Sequence, residues 1–95
     1  MALPVWFRPQ ARRDLRDLPR HVQVRIIEHL ERLAADPTAP GPQRLRGPWR
    51  RFSKLRVGDY RVILRIEKDR LHVAALGHRS SIYEKLDRST PEFEQ

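Results

Sequence analysis

Lys54-Leu55-Arg56-Val57-Gly58-Asp59-Tyr60-Arg61-Val62-Ile63 is the stretch whose reading decides the fold of this chain. Polar and apolar residues alternate on both sides of Gly58-Asp59, the period-two pattern of a half-buried strand. A two-residue Gly-Asp connection between such runs predicts a tight hairpin, with glycine supplying backbone angles that side chains resist. The register then follows by arithmetic. Val57 faces Tyr60, Arg56 faces Arg61, Leu55 faces Val62, and Lys54 faces Ile63. Leu55, Val57, Tyr60 and Val62 share one face and suit the covering of helices. Lys54, Arg56 and Arg61 share the other. Like charges directly opposed across a sheet destabilise it, so the cluster has a cost unless an anion compensates. The bland alternative is a set of cations splayed into solvent, where repulsion is screened within about 10 Å. A slip of one residue would scatter the cluster.

Working outward, Val5-Trp6-Phe7 is a short strand-prone run stopped by Pro9. Ala11, Leu15, Leu18, Val22, Ile26, Leu30 and Leu33 then recur at gaps of three and four, one face of a helix. Pro19 interrupts that pattern and predicts two helices, about Pro9–Asp17 and Pro19–Ala35. Asp36-Pro-Thr-Ala-Pro-Gly-Pro must be a loop. Period two begins at Trp49, and a third run, Leu71 to Gly77, follows a charged connection at Glu67–Arg70. Ser80–Leu86 suits a short terminal helix, and residues 87–95 a frayed tail. The expected fold class is α+β, ordered β-α-α-β-β-β in a single domain over 1–95. It is a small antiparallel sheet with a helical hairpin on one face.

Lys and Arg number 20 against 12 acids, a formal net charge of +8 in 95 residues. A field of that sign attracts polyanions. Arginine predominates, and its planar fork pairs bidentately with phosphate. There is no cysteine, which excludes disulfides and thiolate metal sites and suits a reducing cytoplasm. No apolar run reaches signal-peptide or membrane-span length. His21 and His29 lie too far apart on their helix for a metal pair. His72 and His78 are about 20 Å apart along a strand. Each reads as a surface histidine, so no metal or cofactor is expected. Asp14, Asp17, Glu28 and Glu31 read as ion-paired helix-surface residues, and Trp6 and Trp49 as core or sheet-edge packing.

Just past the last strand, Arg79 can approach the Arg61 surface, and His78 beside it could assist proton transfer. Tyr83 offers a hydroxyl and a stacking face for a base; as an alternative, it docks the terminal helix. Arg51, Arg56, Arg65 and His78 complete the candidate RNA contacts.

The Lys54–Ile63 string, followed by Gly77-His78-Arg79-Ser80-Ser81-Ile82-Tyr83, resembles the RelE toxins of type II toxin–antitoxin systems, in the RelE/ParE superfamily. The helical segment with Leu15, Leu18 and Pro19 and the Leu45-Arg46-Gly47 approach to the sheet are similar too. The resemblance spans about Val5 to Tyr83. It implies a cytoplasmic endoribonuclease without cofactor, cutting mRNA in the ribosomal decoding site. It also implies inhibition by an acidic, partly disordered RelB-like antitoxin in a hetero-oligomer. It maps catalytic roles onto Lys54, Arg61, Arg79 and Tyr83. A second lysine, often found two residues before the Lys54 position, is here Phe52. In the implied metal-independent reaction an RNA 2′-OH attacks the adjacent phosphate, leaving a cyclic phosphate and a free 5′-OH. Its rate depends on alignment and on charge stabilisation. ParE-like toxins, similar in fold, instead imply inhibition of DNA gyrase by binding. A plain basic nucleic-acid-binding module is the third possibility.

Overall fold

The computed structural model describes residues 2–89. Strand β1 (Val5–Phe7) leads into α1 (Pro9–Arg16), which opens on a proline whose missing N–H would have no helical partner anyway. Leu18-Pro19 breaks the helical run, and α2 (Arg20–Ala35) follows. Gln23 Nε2 donates to the carbonyls of Leu18 at 2.8 Å and Arg16 at 3.2 Å. It thereby satisfies acceptors that the end of α1 leaves open. The predicted pair of helices thus forms, each starting at or just after its proline.

After the loop come β2 (Gln43–Arg44) and a short 3-10 turn at Gly47–Trp49. Then follow β3 (Ser53–Val57), β4 (Tyr60–Ile66), β5 (Leu71–His78) and α3 (Ile82–Ser89). Period two was expected from Trp49, yet the chain is helical there, because Trp49 turns inward as a buried residue instead of extending. Strand β2 has only two residues, too few for a periodic signal. Helix α3 continues through Ser89, and the rest of the expected 87–95 tail lies outside the described residues.

The sheet order is β1-β5-β4-β3-β2. Around the Gly58-Asp59 turn the pairs are Val57 with Tyr60, Arg56 with Arg61, Leu55 with Val62 and Lys54 with Ile63, the register derived by arithmetic. The sheet is mixed, because β1 pairs parallel with β5. The helix pair carries the chain from one sheet edge to the other. Three antiparallel strands then return β5 to lie beside β1 in the same direction.

Two cores flank this sheet. On one face Ala11, Leu15, Val22, Ile26, Leu30 and Leu33 of the helices pack on Leu55, Val57, Val62, Leu64 and Leu76. On the other, Ile82 and Leu86 of α3 pack on Phe52, Ile63, Ala74, Ala75 and Trp49. Full burial of each large apolar side chain contributes roughly 1.5–3 kcal/mol. Helices therefore cover both faces, and the second core fixes where α3 sits beside the cationic cluster. Among the described residues no helix is long and apolar enough to cross a membrane.

Candidate functional site

The hairpin turn sets the site. Gly58 has φ +59°, a left-handed conformation that glycine adopts without steric cost. On the α3 face of the hairpin, Arg56 and Arg61 sit directly opposite each other, with Lys54 two residues along β3. The Arg61 guanidinium does not reach into empty space. Its Nη1 donates to the carbonyls of Gly58 and Tyr60, each at 2.9 Å. Those two oxygens partly offset the opposed positive charges, a role sequence reasoning reserved for an anion.

Lys54 meets Tyr83 from the first turn of α3. The ammonium donates to the Tyr83 hydroxyl at 3.0 Å and lies 5.7 Å from the ring centroid. Tyr83 remains 48% exposed, so ring and hydroxyl are open to a ligand. Arg79 lies at the hairpin tip. Its backbone N–H donates to Asp59 O at 2.8 Å, and its Nε is 3.8 Å from Asp59 Oδ1. Both side chains are more than half exposed, so solvent screens that pair strongly. Arg25 of α2 closes on the turn from the opposite side, its guanidinium within 3.3 Å of where a Gly58 Cβ would stand.

The remaining candidates divide. Arg51, exposed, precedes β3. Arg65 shares the parity of Arg61 but lies four residues further along β4, roughly 13 Å away. There its guanidinium stacks over Phe52 at 5.4 Å and donates through Nε to Glu67 at 2.9 Å. His78 pairs with Tyr60 in the ladder and stacks edge-on against its ring at 5.4 Å. This places it on the helix-pair side of the hairpin, with Nδ1 accepting from the Ser80 N–H at 3.1 Å.

His72 departs from the expected surface histidine. It is buried against Trp6, with ring centroids 4.7 Å apart, because β1 covers that stretch of β5. Burial holds its pKa below the ordinary value, more than the nearby Glu67 carboxylate raises it. Glu67 is itself held below the usual carboxylate value, chiefly by the Arg70 side-chain hydrogen bond. Phe52, two residues before Lys54, is fully buried and stacks edge-on with Trp49. A cation cannot occupy that place without dismantling the second core.

Sequence reasoning missed two participants. Lys85 of α3 donates to Asp14 of α1 at 3.1 Å and to Leu76 O at 3.0 Å. Asp14 had read as an ion-paired acid on the helix surface; it is ion-paired, but with a lysine 71 positions away that nothing local marks. Among the described residues no three His, Cys, Asp or Glu side chains gather as a metal site.

Residues 5–83 match the family model of the ParE toxin of the type II toxin–antitoxin system parDE. No curated protein matches the chain. Among solved structures, the chain is similar to the RelBE2 toxin–antitoxin complex of Mycobacterium tuberculosis. That likeness has a TM-score of 0.74 and 26% identity over 84% of this chain and 94% of that one. The RelB–RelE complex of Methanococcus jannaschii is 24% identical at a TM-score of 0.69, over 85% and 98%. A RelE variant of E. coli in the free state is 20% identical at 0.75, over 98% of both chains.

Proposed function

This chain belongs to the ParE toxin family of type II toxin–antitoxin systems, within the RelE/ParE superfamily, and on the geometry of its basic site we propose that it is an endoribonuclease cleaving mRNA on the ribosome. The observation that carries the reading is the Lys54–Tyr83 contact beside the opposed Arg56 and Arg61. Cleavage by 2′-OH attack needs positive charge where the phosphorane forms and a group to move protons. Arg61, oriented by two carbonyls, supplies a fixed fork for phosphate oxygens, and Arg56 a second. Arg79 at the hairpin tip contacts the neighbouring phosphate. Lys54 and Tyr83 form the proton-handling pair, and the exposed Tyr83 ring stacks on a base. Arg51 extends the strand path, with His78 and Arg65 at its margins. The partner is an acidic antitoxin that neutralises this surface, and the setting is the cytoplasm.

The test is a translation extract supplied with equimolar protein, with cleavage ends mapped on the message. The parent protein is expected to cut, and Arg61→Ala to lose roughly 100-fold in rate while remaining folded. An intact message under active translation would sink the proposal.

A second reading draws on the family match itself, since ParE toxins give the family its name. In that reading the same surface binds DNA gyrase without cutting RNA. Inhibition of gyrase supercoiling by a protein that leaves translated mRNA intact would select it.

A further inference from the structure

We infer that Lys85 and Asp14 are positioning residues for the proposed cleavage, a bolt on the far flank of α3 that holds Tyr83 against Lys54. The inference rests on the cleavage reading for its kinetic consequence, and on geometry alone for its structural one.

Helix α3 spans eight residues and lies on the sheet through Ile82 and Leu86. Such a short helix is marginal without tertiary contacts, and an apolar stripe by itself leaves roll and slide weakly determined. Polar contacts on its two flanks determine both. Tyr83 and Lys85 are two residues apart, about 200° around the helix, and so project to opposite sides. On one side Tyr83 meets Lys54 of β3. On the other the Lys85 ammonium donates at once to Asp14 Oδ2 and to the carbonyl of Leu76. Lys85 is 31% exposed and Asp14 20%, so the pair is sheltered on most sides.

The seat of that ammonium is prepared by a missing side chain. A Cβ at Gly77 would come within 3.0 Å of Lys85 Nζ. Gly77 is also the ladder partner of Arg61. The bolt therefore enters the sheet at the residue paired with the central arginine, and α3 is indexed to the same rung as the proposed phosphate site. Releasing Lys85 frees α3 to roll about Ile82 and Leu86, which moves the Tyr83 hydroxyl away from Lys54. Misplacement of a reacting group by about 1 Å can cost on the order of 100-fold in rate.

The test compares Lys85→Met, which keeps the stem and loses the ammonium, with Lys85→Arg, Asp14→Asn and Gly77→Ala. Gly77→Ala crowds the lysine ammonium without changing its charge. Ribosomal cleavage is measured as kcat and KM, and amide hydrogen exchange of α3 is read alongside. Expected for Lys85→Met and Asp14→Asn are a roughly 10- to 100-fold fall in kcat, little change in KM, and faster exchange in α3. Gly77→Ala, which asks the ammonium to give by a few tenths of an ångström, moves the same readouts in the same direction by less. Lys85→Arg retains most of the rate. Gly77→Ala adds nothing in the Lys85→Met background, because its effect runs through the lysine. Unchanged exchange in α3 overturns the bolt. Faster exchange with unchanged kcat overturns its positioning role, leaving plain stabilisation. If the parent protein cuts no RNA, the cleavage reading falls separately. Exchange in the same variants then decides whether the bolt exists.

Discussion

Lys54 on β3 and Tyr83 on α3 stand 29 residues apart in the chain, yet the lysine ammonium donates to the tyrosine hydroxyl at 3.0 Å. The contact joins a strand whose parity is set by the hairpin to a helix whose placement is set by the second core. A proton can pass between two such groups without diffusion of either. If they work as a unit, their removal is not additive. Tyr83→Phe and Lys54→Ala are each expected to slow single-turnover mRNA cleavage roughly 100-fold or more. The double variant is expected to lose much less than the product of the two. A loss equal to that product would show independent roles.

Phe52 marks where this chain departs from the second-lysine pattern. It is fully buried between Trp49 and the Arg65 guanidinium. Phe52→Lys removes aromatic packing, whose truncation to alanine costs about 3–5 kcal/mol, leaves an aliphatic stem in its place, and adds the cost of desolvating an ammonium. Urea unfolding is expected to show a clear loss of stability, with no gain in cleavage. A Phe52→Lys protein as stable as its parent would contradict the buried placement.

The hairpin turn offers a paired measurement. Gly58 and Gly47 both have positive φ, +59° and +65°. Alanine at either position is expected to cost roughly 1–2 kcal/mol for the left-handed backbone. At Gly58 the new methyl also meets the Arg25 guanidinium at 3.3 Å, whereas nothing lies within 4 Å at Gly47. The exposed Arg25 terminus needs to give by only a few tenths of an ångström, so the two alanine variants are expected to cost similar amounts in urea. An excess loss at Gly58 that Arg25→Ala removes would show the guanidinium to be held in place.

Acidification is expected to loosen the sheet edge through His72. Burial holds its folded-state pKa below its ordinary 6.5, with Arg65 and Arg70 acting in the same direction and Glu67 against it. The unfolded chain thus binds more protons than the folded one as pH drops below about 6.5. Stability is complete above that value and declines as pH falls toward the folded pKa. The depressed Glu67 adds a separate loss below about 4.5, where the unfolded carboxylate protonates first. Thermal melts from pH 8 to 5.5 are expected to show a falling Tm, with a shallower fall for His72→Phe, which keeps the ring against Trp6. Equal slopes would remove His72 as the cause.

Much of the fold was legible because it rests on local rules. Proline placement marks the helix starts near Pro9 and Pro19, and helical periodicity picks out Leu15, Val22, Ile26 and Leu30 as core. The Gly58-Asp59 turn dictates the register that sets Arg56 against Arg61. What was not legible depends on contacts between distant segments. The parallel pairing of β1 with β5, the burial of His72 beneath it, and the Asp14–Lys85 contact leave no periodic trace.

The sequence by itself determined the charge of this protein, the hairpin and the face that carries Lys54, Arg56 and Arg61, because turn chemistry and strand alternation act over neighbouring residues. Only the tertiary structure decided that Tyr83 closes on Lys54 and that the Arg61 guanidinium is held by the carbonyls of Gly58 and Tyr60. The physical reason is the second core. Packing of Ile82 and Leu86 onto Phe52 and Ile63, with Lys85 seated over Gly77, places α3 at one position on the sheet. That placement turns a row of like charges into an ordered site.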